Sequence, residues 1–223
     1  MTQAAPGPVR NPRAVLYFGV GAFLLLGALF IAIAEDVATG EPIVRMDQGI
    51  AVWLHGHGNR LLTAFMLGVT QMHSMAGVWA MSLVFAAYLA WKRAWVWLAT
   101  LVLVLGGGML LNTLYKHAFE RARPTWDNPL LTLTSYSFPS GHTAGATLFY
   151  GLLAAYLITR FRGRRVRTLC VAGAALMVAL VGFSRMYLGV HYLTDVLAAA
   201  CASGAWLALC LLGVRHFNRR HPA

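Results

Sequence analysis

The sequence predicts an all-α, polytopic membrane protein with six transmembrane helices and one interfacial helix. Three observations carry that reading. Of 223 residues, 59% are hydrophobic and 11% charged, whereas a soluble domain carries about 25% charged residues. The apolar residues gather into runs near the roughly 20 positions a helix needs to cross a bilayer. The basic residues fall mainly in alternate connections between those runs.

The longest clean run covers residues 14–34. Ala32-Ile33-Ala34 after a start containing Arg10 and Arg13 looks like a signal-peptidase site. A secretory signal has an apolar core of only about 7–15 residues, so an uncleaved first helix is expected. Residues 45–65 read as a partly amphipathic interfacial helix, with Trp53 suited to the headgroup level. The second span is expected at 72–91, with Gln71 and His73 marking its outer end. The third is expected at 94–115, where Gly106, Gly107 and Gly108 permit close helix packing and do not form a phosphate loop. Runs at 143–159, 168–183 and 196–214 complete the six. The connections are short and hold no repeat, linker or low-complexity stretch. A single membrane domain over residues 1–223 follows, with tails at about 1–13 and 215–223.

A net charge of +11 in a soluble protein would point to nucleic acid, but its distribution points elsewhere. The N-terminus, the second-to-third connection, the fourth-to-fifth connection and the C-terminal tail together hold 12 basic residues and no acidic one. The opposite side holds Arg45, Arg60, Lys116, Arg121, Arg123 and Arg185 with all 7 acids. The positive-inside rule then places both termini in the cytoplasm. The arginine-rich loop (Arg160, Arg162, Arg164, Arg165, Arg167) reads as a topology signal with some attraction for anionic lipids. No nucleic-acid partner is expected. Cys170, Cys201 and Cys210 all lie in expected spans and read as small buried apolar residues, not as a disulfide framework.

Three polar segments interrupt the apolar chain, and all three fall on the non-cytoplasmic side: Lys116 to Pro124, Phe138 to His142, and Ser184 to Asp195. Charge at the edge of a membrane helix is costly and is usually kept for function. In the second segment, Ser140 after Pro139 is a helix-start signal. Free backbone N–H groups at that helix N-terminus, a glycine at Gly141 and a following His142 suit an anion. The plain alternative is a helix cap with an interfacial histidine. In the third segment, His191 and Asp195 stand four apart and share a face if helical. A carboxylate on one imidazole nitrogen leaves the other as a nucleophile, although such a pair can also be an interfacial hydrogen bond. Arg185 offers a planar donor fork for phosphate oxygens. Lys116 and Arg123 at the end of the third span complete a cationic ring. Arg121 reads equally well as a solvated loop charge or as a support. His55 and His57, flanked by glycines, read as an exposed loop and not as a metal site.

Taken together, these segments resemble the three-part signature of the type 2 phosphatidic acid phosphatase family, KxxxxxxRP, PSGH and SRxxxxxHxxxD. The match falls on Lys116, Arg123 and Pro124, on Pro139 to His142, and on Ser184, Arg185, His191 and Asp195, without departure. The resemblance implies a helical core of the acid-phosphatase and haloperoxidase kind. It also implies a lipid-phosphate hydrolase in which His191 attacks phosphorus, forming a phosphohistidine. His142 then protonates the leaving oxygen and activates the hydrolytic water. Asp195 orients His191, while Lys116, Arg123, Ser140, Gly141 and Arg185 bind phosphate. No metal and no other cofactor is expected, because no dense set of outer carboxylates lies near the motifs. The expected partner is a membrane lipid phosphate, with a slight preference for undecaprenyl pyrophosphate. Phosphatidylglycerophosphate, phosphatidate and lipid A are the alternatives. A lipid phosphotransferase is the nearest rival. An anion transporter, which would carry charges at the bilayer midplane, and a soluble haloperoxidase fit less well.

Overall fold

A computed structural model describes residues 12–40, 42–161 and 163–220. Arg10, Glu41 and Arg162 of the charge count lie outside the described residues. Every regular element among the described residues is helical. This is one of two solutions open to a chain in lipid, where each backbone N–H and C=O must be satisfied within the protein. The helices are α1 (Pro12–Thr39), α2 (Pro42–Gly56), α3 (Arg60–Met72), α4 (Met75–Trp91), α5 (Trp95–Val102), α6 (Gly108–Phe119), α7 (Gly141–Arg160), α8 (Arg164–Tyr187) and α9 (Leu193–Arg220). A π-helical turn, Leu103–Gly107, joins α5 to α6.

Four stretches are long and apolar enough to span a bilayer: Leu16–Thr39, Trp95–Phe119, Arg164–Tyr187 and Leu193–His216. A fifth appears if α3 and α4, bent by 54° at their junction, are taken together. The remaining member of the expected six, α7, is the innermost helix. Thr143, Ala144, Gly145, Ala146, Leu148 and Leu152 along it are all buried. Its walls are other helices, so small and polar residues replace the lipid-facing leucines found elsewhere. Around it lies the main apolar core, built from Val78, Phe85, Leu89, Leu101, Val104, Leu148, Phe149, Leu152 and Tyr156. A second cluster joins Ala34 of α1, Phe138 before α7 and Ala198 of α9, so the apolar interior reaches the loop that opens the site.

Two of the three glycines of the third span, Gly107 and Gly108, are closely packed as the sequence predicts, while a Cβ on Gly106 would meet nothing within 4 Å. A Cβ on Gly107 would lie 2.4 Å from the Trp206 ring, and one on Gly108 would lie 2.5 Å from Leu148. The π turn beside them leaves the Val104 carbonyl accepting from the Trp206 indole N–H at 3.2 Å.

The interfacial segment requires correction. Residues 45–65 do not form one helix. The glycine pair around His57 ends α2, and Asn59 starts α3 by accepting the Leu62 N–H on its side chain at 2.9 Å. The break is held to the end of α8, where the Tyr187 hydroxyl receives the Asn59 N–H at 3.1 Å. His55 is not in a loop but in the last turn of α2, stacked on Trp126 with ring centroids 4.0 Å apart. His57 is exposed, as expected. The helix expected from Met72 starts at Met75, capped by Ser74, and is long enough to span only together with α3. His73 lies at the N-terminal end of α4, at the junction with α3, and is buried there, its Nε2 2.7 Å from the Tyr150 hydroxyl. The bend supplies that burial, and hydropathy along the chain carries no record of it. The three cysteines are free.

Candidate active site

The three motif segments converge at one end of the bundle. His191 lies in the short connection between α8 and α9, so it is not itself helical. Asp195, three residues into α9, reaches back across that connection. Its Oδ2 accepts from the Tyr192 N–H at 2.9 Å and lies 3.2 Å from His191 Nδ1. The pairing expected from a four-residue spacing is therefore made by a carboxylate that reaches back from the first turn of α9 to the Tyr192 N–H, one half of a capping box, and aims the imidazole at the same time. Asp195 also accepts from the Ser137 hydroxyl and, on Oδ1, from Arg121 at 2.6 Å. The carboxylate is wholly buried and has four donors.

The other imidazole nitrogen, Nε2, stands 3.1 Å from Arg123 Nη1. With Nδ1 donating to Asp195, Nε2 carries the lone pair. Burial pushes the His191 pKa down to about 3, with the Arg123 and Arg185 charges adding to the effect and Asp195 opposing it. The ring is therefore neutral at neutral pH, the form a nucleophile requires.

Arg123, expected as part of the cationic ring, has its donors already engaged by the protein. All five of its N–H groups have protein acceptors: Ser135 O, Val190 O, His191 Nε2, Ser135 Oγ and Tyr136 O. It clamps residues 135–136 of the outer loop to the His191 connection. Lys116 at the end of α6 donates to the Tyr136 and Ser137 carbonyls at 2.6 and 3.4 Å, so it pins the same loop. Gly189 sets that connection's turn. Its φ is +70°, and a Cβ there would lie 2.5 Å from the indole nitrogen of Trp126, which donates to the Gly189 carbonyl at 2.8 Å.

Arg185 at the end of α8 is in the opposite state. It is 2% exposed, and its Nη1 donates to the Thr70 hydroxyl of α3. Its Nε and Nη2 have no hydrogen-bond partner, and these are the only buried side-chain nitrogen or oxygen atoms so placed among the described residues. Unsatisfied buried donors are costly, and in native proteins they call for a specific explanation.

The α7 N-terminus supplies the remaining groups. Ser140 is the N-cap, its hydroxyl oxygen accepting from Thr143 N and Oγ1. Its own N–H goes to the Asp195 carbonyl at 3.0 Å. Ser140 thus ties α7 to α9. Gly141 opens the helix, and a Cβ there would meet nothing closer than Asn112 Oδ1 at 3.5 Å and Lys116 Cε at 4.0 Å, ordinary contacts. The protein would accept a side chain here, so the bareness of this glycine matters to whatever approaches the helix terminus. His142 follows it, half-buried.

Sequence reasoning did not single out Asp47, Thr70 or Ser137, and it left Arg121 undecided. Asp47 on α2 is fully buried and binds Arg121 Nη2 at 2.9 Å. A lone carboxylate within a short, mostly apolar helix was its only signal.

This arrangement holds a neutral, oriented imidazole beside buried cationic donors at a helix N-terminus, a constellation suited to nucleophilic attack on a phosphate. A family model described as the PAP2 superfamily matches residues 97–219. Phosphatidylglycerophosphatase B of Bacillus subtilis is 34% identical over 139 residues, covering 61% of this chain and 67% of that protein. A lipid A 1-phosphatase of Rhizobium etli is 33% identical over 133 residues, and the chain spans 50% of its length. The crystal structure of a transmembrane PAP2-type phosphatidylglycerolphosphate phosphatase from Bacillus subtilis superposes with a TM-score of 0.77 at 28% identity, covering 92% of this chain and 98% of that one. On the strength of the family match and these relatives, the chain is a multi-pass membrane protein of the PAP2 superfamily and belongs among its lipid phosphatases.

Proposed function

We propose that this protein removes the phosphate from a lipid phosphomonoester through a phosphohistidine on His191, at the non-cytoplasmic membrane surface. The observation that carries the reading is His191 held between Asp195 on Nδ1 and Arg123 on Nε2, beside the unpartnered Arg185 donors. Phosphate oxygens take Arg185 Nε and Nη2 and the free N–H groups of the first turn of α7. Arg123 Nη1 transfers its hydrogen bond from His191 Nε2 to a phosphate oxygen, which releases the lone pair. The Nε2–phosphorus bond forms as the bond to the lipid oxygen breaks, and His142, which takes up a proton when the phosphate anion binds beside it, gives that proton to the lipid oxygen. The imidazolium charge that appears is offset by Asp195. Water then attacks phosphorus, His142 takes its proton, and the N–P bond breaks to free phosphate. The cations Lys116, Arg123 and Arg185 supply the positive charge for phosphoryl transfer, so the reaction is metal-independent in this reading.

In this reading six spans form a single domain, with α7 as the sixth, and both termini lie on one side, the cytoplasm. At 20 residues α7 is about 30 Å long, the thickness of the hydrocarbon core. The 12-to-0 basic bias supports that orientation. The similarity to the Bacillus phosphatidylglycerolphosphate phosphatase along nearly its whole length favours a glycerophospholipid monoester. The names of the relatives point to phosphatidylglycerophosphate and lipid A as substrates.

The test is phosphate release by purified protein from phosphatidylglycerophosphate, phosphatidate, lipid A, undecaprenyl pyrophosphate and a short-chain soluble ester, in matched micelles with EDTA. The expected result is fastest turnover of the glycerophospholipid monoesters, unaffected by EDTA. Equal kcat/KM for short and long chains, or activity restored only by magnesium, overturns the reading.

A further inference from the structure

We infer that Asp47 is a positioning residue for the phosphohistidine step, acting through Arg121 to keep a net negative charge beneath His191. The inference rests on the mechanism proposed above. Asp47 lies on α2, outside the three motif segments and outside residues 97–219 that the family model matches.

The geometry is a chain of alternating charges. The Asp47 carboxylate holds Arg121 Nη2 at 2.9 Å, and Arg121 Nη1 reaches Asp195 Oδ1 at 2.6 Å. Asp195 Oδ2 faces His191 Nδ1 at 3.2 Å. Thr194 crosslinks the array: its N–H donates to Asp47 Oδ1 at 3.0 Å, its hydroxyl donates to Asp47, and Arg121 Nη1 lies 2.7 Å from that hydroxyl. Both carboxylates are fully buried, and the Arg121 side chain is 11% exposed. The guanidinium lies over the Tyr192 ring, its central carbon 4.4 Å from the centroid.

The charges decide the role. Asp195 with Arg121 alone would be a neutral pair, and a neutral pair stabilises a growing imidazolium poorly. Adding Asp47 gives two carboxylates to one guanidinium, a net charge of −1. The imidazolium formed when His191 Nε2 bonds to phosphorus brings the buried cluster to zero. Arg121 therefore keeps Asp195 ionised and fixed without cancelling it, because Asp47 takes up the arginine's charge. A purely structural reading, in which Asp47 only caps α9 through Thr194, requires the same Thr194 contacts but gives no role to the charge.

Asp47→Asn separates the two, because asparagine can still accept from the Thr194 N–H but carries no charge. The measurement is rapid-quench phosphoenzyme formation on the full-length protein in detergent, using 32P-labelled phosphatidylglycerophosphate. Burst amplitude counts folded sites, and burst rate reports the chemistry in each. In Asp47→Asn the burst rate should fall about tenfold or more, a loss of ~1.4 kcal/mol of transition-state stabilisation, with amplitude kept and substrate KM little changed. Removing the cation as well, in Asp47→Asn/Arg121→Gln, restores one uncompensated carboxylate. This double variant should react faster than the single one. An unchanged burst rate at any amplitude overturns the inference, as does a double variant slower than the single. Absence of a burst in both variants assigns Asp47 to the scaffold alone and overturns it too. Failure of the wild type to form an acid-labile, base-stable phosphoenzyme would instead reject the phosphohistidine reading.

Discussion

Arg123 and Arg185 carry the same chemistry in the sequence, yet the structure holds them in opposite conditions. Around Arg123 every donor is matched: five N–H groups meet five acceptors, and the neighbouring Asp195 accepts from Arg121, Ser137, His191 and Tyr192. Around Arg185 the guanidinium is more deeply enclosed than that of Arg123, yet it has one protein partner, Thr70, and two nitrogens with none. The first region is a scaffold that fixes the nucleophile before substrate arrives. The second resembles a binding site whose stability is sacrificed until an anion fills it. Preorganisation and affinity are thus divided between two arginines that a motif treats as equivalents.

The comparison breaks most sharply at the nucleophile. His191→Ala should lower turnover by about 10⁴-fold or more, since residues acting as one catalytic unit fail together. Phosphate release from phosphatidylglycerophosphate measures it, and near-normal activity would leave the matched region with no chemical purpose.

Arg185 gives the next effect, with stability and activity moving in opposite directions. Arg185→Met removes two unpaired buried donors, each a penalty of ~1–3 kcal/mol. It should raise the melting temperature in detergent by a few degrees while cutting kcat/KM by about 10²–10³-fold, the cost of losing one transition-state donor group. Ser137→Ala, which strips a donor from Asp195, should lower the melting temperature. If both variants melt lower than wild type, the two regions are energetically alike and the contrast fails. Orthovanadate sharpens the point: it should stabilise the wild type against heat and leave Arg185→Met unaffected.

The smallest expected effect is a pH dependence. His191 has a folded pKa of about 3, lowered chiefly by burial, against about 6.5 unfolded. Between those values the unfolded chain binds a proton that the native state does not, so stability falls as pH drops from about 6.5 toward 3. His191→Gln removes that one proton from the balance. Its melting temperature should decline less steeply than wild type between pH 6.5 and 4, and parallel declines would show that the ring is not held neutral.

Much of the site was legible in the sequence because its chemistry is local. The Ser140 cap, the Gly141 opening and the His191/Asp195 spacing each fall within a few residues of one another. Even there the mechanism differed, since His191 precedes α9 and Asp195 reaches it as a returning cap. Asp47, Thr70 and Ser137 were not legible. They join the site across 74, 115 and 58 residues of chain, through Arg121, Arg185 and Asp195 respectively. The interfacial helix was misread for a related reason: residues 45–65 have a continuous pattern, but the chain breaks where Tyr187 receives Asn59.

By itself the sequence determined the all-helical membrane class, the family motifs and the charge asymmetry between alternate connections. These follow from composition and short-range spacing, the terms set by bilayer thickness and backbone hydrogen bonding. Tertiary structure alone decided which cations are already satisfied and which are left open. Arg121, Arg123 and Arg185 are identical as letters, and only the packing of α2, α9, the α8–α9 connection and the 120–140 loop supplies several acceptors to the first two, while α3 gives the third a single one, Thr70. Desolvation and pairing are properties of a buried neighbourhood, and that neighbourhood is assembled from residues far apart in the chain.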